Sequence, residues 1–185
     1  MMPRRWSRSV DNYLSRRINR APSRILALGV PWASVMLASM LPALPIIASA
    51  PIAPPLGFLL FLAWRHVRPG LHPVWAGLPL GLFDDIYSGQ PFGSGILLWS
   101  LTAMAADALD HRMPFRSFGL DWLLTGLTLA LYLAASLAIA NQSGGTNPLA
   151  IIAPQLLVGI LLYPLCCRLV ARFDRFRLLP IVDLG

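Results

Sequence analysis

The hydrophobic positions of the chain fall into six apolar runs, separated by short polar or Pro- and Gly-rich segments. The runs cover residues 25–48, 56–64, 71–87, 92–110, 118–140 and 149–171. Several of them approach or exceed the ~18 residues that indicate a membrane-spanning helix. The run at 118–140 is the most regular, whereas those at 56–64 and 71–87 are short, so the second helix must start near Ile52 or be tilted, thin or partly re-entrant. The pattern predicts an all-α, polytopic integral membrane protein with six transmembrane helices.

Three prolines, Pro31, Pro42 and Pro45, interrupt the first apolar run. A proline has no N–H group, so it leaves a carbonyl of the preceding helical turn without its usual hydrogen bond. Membrane helices tolerate such prolines when neighbouring helices supply the missing bonds. We therefore expect other helices to contact the carbonyls that these prolines free.

The composition excludes a large soluble core. Of the 185 residues, 56% are hydrophobic and 12% are charged, and the mean hydropathy is +0.63. The length is typical of one domain. We divide the chain into a basic cytoplasmic tail (1–24), a six-helix membrane domain (25–177) and a C-terminal cytoplasmic tail (178–185).

The positive charges predict the orientation in the membrane. All 15 basic residues are Arg. With the N-terminus in the cytoplasm, the segments on that side hold seven, two, two and four Arg, and the opposite segments hold none. This distribution obeys the positive-inside rule and predicts that both chain ends are cytoplasmic. Fusing the second and third runs would place Arg65, His66 and Arg68 at the middle of the membrane, where charges are costly.

The net charge of +7 does not indicate nucleic-acid binding, because the Arg residues follow the membrane topology. Anionic lipid headgroups are the expected counter-charge. Within the tail, apolar residues recur at three- and four-residue spacing, at Trp6, Val10, Tyr13, Leu14 and Ile18. This spacing favours a basic amphipathic helix on the cytoplasmic leaflet. A disordered tail that only sets the topology is the alternative.

The stretch 77–95, GLPLGLFDDIYSGQPFGSG, places two adjacent carboxylates, Asp84 and Asp85, at the outer end of the third helix. Two carboxylates repel each other, and the C-terminal end of a helix dipole disfavours both. Compensation is expected from N–H groups of the turn 88–91, from the N-terminus of the fourth helix, or from a basic partner. One interpretation is that one Asp caps the turn and the other is solvated. The pair could also order the loop or dock a partner.

Catalysis or metal binding by this pair is disfavoured. Divalent cations prefer more oxygen ligands than two carboxylates supply, and no further acid follows on the same helix face. The sequence also lacks a nucleophile elbow, a P-loop, a dinucleotide fingerprint and a His or Cys metal spacing. Adjacent Cys166 and Cys167 point apart in a helix and are interpreted as small apolar residues. We therefore expect a protein that is not an enzyme and binds no metal or cofactor.

A second polar group, Asp107, Asp110 and His111, lies at the inner end of the fourth run. Asp107 and His111 are four residues apart and share a helix face. A proton relay is one interpretation. The favoured one is an interfacial helix end whose acids pair with Arg112 or Arg116.

The fifth run carries small residues at four-residue spacing: Gly126, Ala130, Ala134 and Ala138. Such a helix-packing seam lets membrane helices approach closely. Gly77 and Gly81 repeat the spacing in the third run. Packing within the bundle is the favoured interpretation of the seam, and a partner interface is the alternative.

The stretch around the two carboxylates resembles the signature of the rod shape-determining protein MreD family. That signature is an apolar Gly-containing helix, an Asp, two apolar residues, a small residue, Gly, a polar residue, Pro, an apolar residue and Gly. The matching residues here, with the additional Asp84, are Gly81, Asp84, Asp85, Ser88, Gly89, Pro91 and Gly93. Asp85 takes the position of the family Asp. The size and the six-span layout also resemble the family.

The resemblance implies a non-enzymatic scaffold of the bacterial cell-elongation machinery, which builds peptidoglycan and sets rod shape. Such proteins are multi-pass proteins of the inner membrane. They associate with the bitopic protein MreC and, through it, with MreB, RodA and a penicillin-binding transpeptidase. Their fold is similar to the substrate-binding subunits of energy-coupling-factor transporters. The motif residues are then expected to order the loop or dock the partner.

Two other functions stay open at this point. A small-molecule-binding subunit of a transporter would need a polar cavity between the helices, and Asp84, Asp85, Gln90 and Asn141 all lie on the outer side of the predicted topology. An integral-membrane transferase that uses the acids with a divalent metal is the other alternative. The residues support it least.

Overall fold

The computed structural model describes residues 20–22, 24–43, 53–113, 117–142, 144, 149–178 and 180–183. Within these ranges the chain forms six α-helices packed into one bundle. They are α1 (Arg24–Met40), α2 (Leu56–Val67), α3 (Gly77–Tyr87), α4 (Ser94–Arg112), α5 (Phe118–Gln142) and α6 (Ile152–Arg177). Short 3₁₀ turns at Leu41–Ala43, Val74–Ala76 and Leu149–Ile151 extend α1 and precede α3 and α6.

Three of the described helices are long and apolar enough to cross a membrane: Ile25–Ala43, Phe118–Gln142 and Ile152–Arg177. The helical, membrane-type fold that the sequence predicts is therefore confirmed at this level. α2 and α3 are shorter, at 12 and 11 residues.

Several predicted helix boundaries differ from the structure, and two of these differences involve a proline. The third helix begins at Gly77 rather than at residue 71, because Pro73 directly precedes a 3₁₀ turn and residues 71–73 belong to the connecting loop. The α-helical part of the first run ends at Met40, two residues before Pro42, which cannot donate the next helical hydrogen bond. The rest of that predicted run, 44–48, lies outside the described residues.

The 12-residue helix α2 lies at the centre of the bundle. Every residue from Gly57 to Arg65 is buried. This burial follows from the sequence of α2, which is apolar on all faces until Arg65, because a helix of that kind must be surrounded. Two of its aromatic rings stack on rings from other helices: Phe58 on Tyr132 of α5 at 4.1 Å, and Phe61 on Trp99 of α4 at 5.3 Å.

The long helices surround α2 and expose apolar side chains outwards. On α5 and α6, Leu123 is 70% exposed, Leu131 63% and Leu161 71%. Large apolar side chains exposed in rows of this kind mark a surface that contacts lipid or a partner rather than water.

Two prolines inside helices are each matched by a side chain from a different helix. Pro31 frees the carbonyl of Ala27 in α1, and the Arg177 guanidinium of α6 donates to that oxygen at 2.8 Å. Pro164 frees the carbonyl of Ile160 in α6, and the Trp122 indole of α5 donates to it at 3.0 Å. The expectation that other helices satisfy the carbonyl freed by Pro31 is therefore confirmed.

The two chain ends meet in a short antiparallel ribbon of β1 (Arg20–Pro22) and β2 (Pro180–Asp183). Arg20 pairs with Asp183, and the register shifts between Ala21 and Pro22. Pairing of the ends places them on the same side of the bundle. The amphipathic helix predicted from Trp6 to Ile18 lies outside the described residues.

Candidate functional site

The site begins with the contact between α3 and α4, which glycines bring backbone to backbone. A Cβ atom on Gly77 would lie 2.6 Å from the carbonyl oxygen of Trp99, and one on Gly81 would lie 2.5 Å from that of Gly95. Both distances are too short for any side chain. The close approach that the spacing of Gly77 and Gly81 predicts is therefore present.

The turn between these helices requires two more glycines. Gly89 and Gly93 have φ angles of +68° and +96°, in the left-handed region that favours glycine. Ser88 closes α3, and its hydroxyl accepts the Gln90 N–H at 3.4 Å. The Pro91 carbonyl accepts the Ser94 N–H at 3.0 Å, where α4 begins. The motif residues thus lie together in one compact turn.

Asp85 ties this turn to α4. Its Oδ1 accepts the Gly95 N–H at 2.6 Å and the Ser94 hydroxyl at 3.4 Å. Its Oδ2 accepts the Gly93 N–H at 2.9 Å and the Ile96 N–H at 3.2 Å. The first N–H groups of a helix lack partners within the helix, and the positive end of the helix dipole attracts a carboxylate. Of the three compensations expected for the acidic pair, the N-terminus of the fourth helix is the one that Asp85 uses.

Gly95 is a residue of this site that the sequence interpretation missed. A Cβ atom there would lie 2.6 Å from Asp85 Oδ1 and 2.8 Å from the Gly81 carbonyl oxygen. Only glycine leaves room for both groups. Its position fourteen residues after Gly81 carries no periodic signal, because the two residues meet across a turn.

Asp84 has a different environment from its neighbour. Both carboxylates are buried, each at 6% exposure. The expectation that one Asp of the pair is solvated is therefore wrong, because α1 and α5 cover the face of α3 that carries Asp84. Ser39 of α1 and Tyr132 of α5 lie beside it. No ion pair to Asp84 is present among the described residues.

The acids at the C-terminal end of α4 are held by a residue that is distant in sequence. Arg65 of α2 lies 3.8 Å from Asp107 and 3.9 Å from Asp110, and His111 lies 3.5 Å from Asp107. The described partner of both acids is therefore Arg65 rather than Arg112. The alternative partner, Arg116, lies outside the described residues.

A second ionic group joins α6 to the C-terminal end of α2. Asp174 accepts from Arg68 at 2.8 Å and from Arg177 at 2.7 Å. The Arg177 guanidinium also lies over the Trp64 ring, 5.7 Å from its centroid. In the loop between α2 and α3, burial and then the charges of Arg65 and Arg177 lower the pKa of His72 to about 4. His72 is therefore neutral at physiological pH and packs as part of the core.

The small-residue seam of α5 does not face the bundle along its length. Gly126 contacts the Ile160 side chain of α6, which a Cβ atom would meet at 3.5 Å, but Ala134 and Ala138 are exposed. The buried face of α5 carries Thr125, Leu129, Tyr132, Leu133 and Ser136 instead. Intramolecular packing therefore does not explain the part of the seam at Ala134 and Ala138.

An apolar groove of about 530 Å³ lies between α5 and α6 at the N-terminal end of the seam. It is lined by Gly119, Trp122, Leu123, Gly126, Leu127 and Ile160. Among the described residues there is no group of three or more His, Cys, Asp or Glu that could hold a metal ion. Cys166 and Cys167 are free thiols, as their adjacent positions predict.

Comparison with protein-family models, with curated proteins and with solved structures finds no match to this chain. The function is therefore inferred from three features of this chain. They are the Asp85-centred turn, the buried Asp84 and the exposed seam of α5.

Proposed function

We propose that this chain is a non-enzymatic scaffold of the bacterial cell-elongation machinery, in the inner membrane, and that it docks MreC. Through MreC it reaches MreB, RodA and a penicillin-binding transpeptidase. The observation that carries the proposal is the turn between α3 and α4. Its residues resemble the MreD signature, and the Asp at the family position accepts four hydrogen bonds from the N-terminus of α4.

The proposal includes six membrane spans with both ends in the cytoplasm. The pairing of β1 with β2 supports an even number of crossings, because it brings the chain ends to one side. At 1.5 Å per residue, α2 and α3 are about 18 Å and 16 Å long, less than the ~30 Å hydrocarbon core. They cross only if flanking loop residues enter the membrane or the bilayer thins around them.

The ordered turn and the exposed helix faces have separate roles in this scaffold. Asp85 fixes the turn in one conformation, so that a partner meets a rigid surface on the periplasmic side. The exposed seam at Ala134 and Ala138 offers a place where the single membrane helix of MreC approaches closely. Neither role requires a chemical step.

Co-purification from native membranes tests the scaffold. Tagged protein is expected to retain MreC, and Asp85→Asn is expected to insert normally but to recover less of it. Asp110→Asn, which alters a carboxylate at the opposite end of α4, serves as the matched control and should recover MreC normally. Depletion of the protein should turn rods into round cells. Recovery of an ATPase module without any shape protein, or rod-shaped depleted cells, would refute the assignment.

A small-molecule-binding subunit of a transporter is the second candidate, and one observation favours it. Asp84 is buried between helices beside hydroxyl groups that lack hydrogen-bond partners. A transporter subunit should gain thermal stability from its ligand, since a ligand that binds only the folded state stabilises it. A broad vitamin panel that gives no stabilisation would count against this candidate.

A further inference from the structure

The carboxylate of Asp84 is buried at a place where the described part of the chain supplies no positive charge. The sequence has no Lys, and no Arg occurs between residues 69 and 111 or between 117 and 167. The described ion pairs lie at the other end of the bundle, around Arg65 and Asp174. Asp107, the partner of Arg65, is twelve residues along α4 from Gly95, a distance of about 18 Å. Among the residues that the structure describes, no Arg forms an ion pair with Asp84, so its counter-charge is sought outside them.

Asp85 does not relieve this charge, because α4 already satisfies it. Its two oxygens accept three backbone N–H groups and the Ser94 hydroxyl. The two acids thus differ in kind. One is a satisfied structural group, and the other is a buried carboxylate beside a second negative charge.

Three polar groups near Asp84 are buried and make no hydrogen bond in the structure. They are the hydroxyls of Ser39 and Tyr132 and the indole N–H of Trp99, whose residues are 2%, 3% and 0% exposed. Ser39 lies within reach of the Asp84 carboxylate, and Tyr132 lies within reach of Trp99, but neither pair has the geometry of a formed hydrogen bond. Buried polar groups in native proteins almost always have well-formed hydrogen bonds, so three poorly bonded groups around one carboxylate indicate an unfilled ligand site.

The chemistry of the cluster selects the ligand class. Asp84, Ser39 and Tyr132 bring three oxygen acceptors together from three different helices. A primary ammonium group has three N–H donors and one positive charge. The Phe58 ring stacks on Tyr132 and meets Trp99 edge to face, and aromatic rings of this kind next to the cluster favour a cation. A divalent metal fits less well, because it prefers more oxygen ligands than the cluster offers.

We propose that Asp84, Ser39 and Tyr132 form a binding site for a primary ammonium group, carried either by a small amine or by a lysine side chain of a partner. The site goes beyond the scaffold function and does not depend on it. The MreD signature has a single Asp, which Asp85 matches. Asp84 is additional, so the resemblance to that family does not imply the site.

Thermal unfolding of the full chain in detergent tests the site, with methylammonium chloride as the probe. Tetramethylammonium chloride and NaCl at the same ionic strength are the controls, because they carry the charge without N–H donors. Methylammonium is expected to raise the Tm in a saturable way. Asp84→Asn should abolish the effect, and Tyr132→Phe should raise the apparent Kd about tenfold, the equivalent of one hydrogen bond. Asp110→Asn should respond like the native chain.

Two results would overturn the proposal. One is an equal rise in Tm with all three salts. The other is a methylammonium response that persists in Asp84→Asn. Because the readout is a ligand-dependent shift within each variant, a change in the basal stability of a variant does not obscure it.

Carbodiimide treatment of native membranes distinguishes the two sources of the ammonium group. The reagent activates the Asp84 carboxylate, and attack by an adjacent lysine amine forms an amide bond and releases the urea. A cross-linked partner that is lost in Asp84→Asn identifies a lysine, whereas methylammonium binding without a cross-link identifies a small amine. MreC recovery is scored from the same membranes, so that failure of the scaffold and failure of the site are seen separately.

Discussion

At the scale of single residues, Asp84 and Asp85 show that two identical, adjacent side chains on a helix can have different environments. Neighbours on a helix point about 100° apart, so Asp85 faces the start of α4 while Asp84 faces α1 and α5. Asp85 is surrounded by N–H donors, and Asp84 by unpaired hydroxyls and a second carboxylate. The same substitution should therefore have opposite effects at the two positions.

We expect Asp85→Asn to lower the free energy of unfolding by about 2 kcal/mol, because an amide loses the charge-assisted bonds and presents its own N–H₂ to the N–H groups of α4. Asp84→Asn, measured without added amine, should be neutral or stabilising, since it removes an unpaired buried charge. Unfolding in mixed detergent micelles measures both. Equal losses for the two variants would show that the environments are not distinct.

At the scale of elements, the contact between α3 and α4 depends on backbone rather than on side chains. Gly81→Ala should lower the free energy of unfolding by about 1–3 kcal/mol, because the new methyl group overlaps the Gly95 carbonyl and forces the helices apart. Gly29→Ala in α1 is the matched control, since a Cβ atom there meets nothing within 4 Å. It should be neutral or stabilising by about 0.5–1 kcal/mol. An unchanged free energy of unfolding in Gly81→Ala would contradict the close contact between α3 and α4.

The helix pair α5 and α6 has a different kind of contact, in which a proline creates the acceptor for its neighbour. Trp122→Phe should cost about 0.5–1.5 kcal/mol, because the Ile160 carbonyl loses its donor. In a Pro164→Ala background the helix can satisfy that carbonyl itself, so Trp122→Phe should cost close to nothing. A double-mutant cycle on the unfolding free energies measures this coupling. If the effects of Trp122→Phe and Pro164→Ala on the unfolding free energy are additive, Trp122 does not compensate for the carbonyl that Pro164 frees.

At the scale of the whole molecule, the proposed six-span topology places Gly144 and Met113 on opposite sides of the membrane. In a chain whose two native Cys are changed to Ala, Gly144→Cys should react with a membrane-impermeant maleimide in cells with a permeable outer membrane. Met113→Cys should react only after the inner membrane is broken. If both residues react from the same side, α5 does not cross the membrane once between them, and the proposed topology is wrong.

The sequence alone determined the parts of this protein that depend on local pattern. Apolar runs predicted the six helices, and the spacing of Gly77 and Gly81 predicted that α3 approaches a neighbouring helix closely. Adjacent acids beside a Gly- and Pro-rich turn predicted a special role for that turn. Each of these properties is encoded within one helix or one turn, where periodicity and backbone restrictions can be recognised directly.

Only the tertiary structure decided which distant groups meet. It placed Asp85 on the N-terminus of α4, left Asp84 buried without a cation among the described residues, and paired Arg65 with Asp107 and Asp110. It also turned Ala134 and Ala138 of the α5 seam away from the bundle. The physical reason is that helical periodicity gives the direction of a side chain relative to its own helix, whereas the neighbour that it meets depends on how all six helices pack.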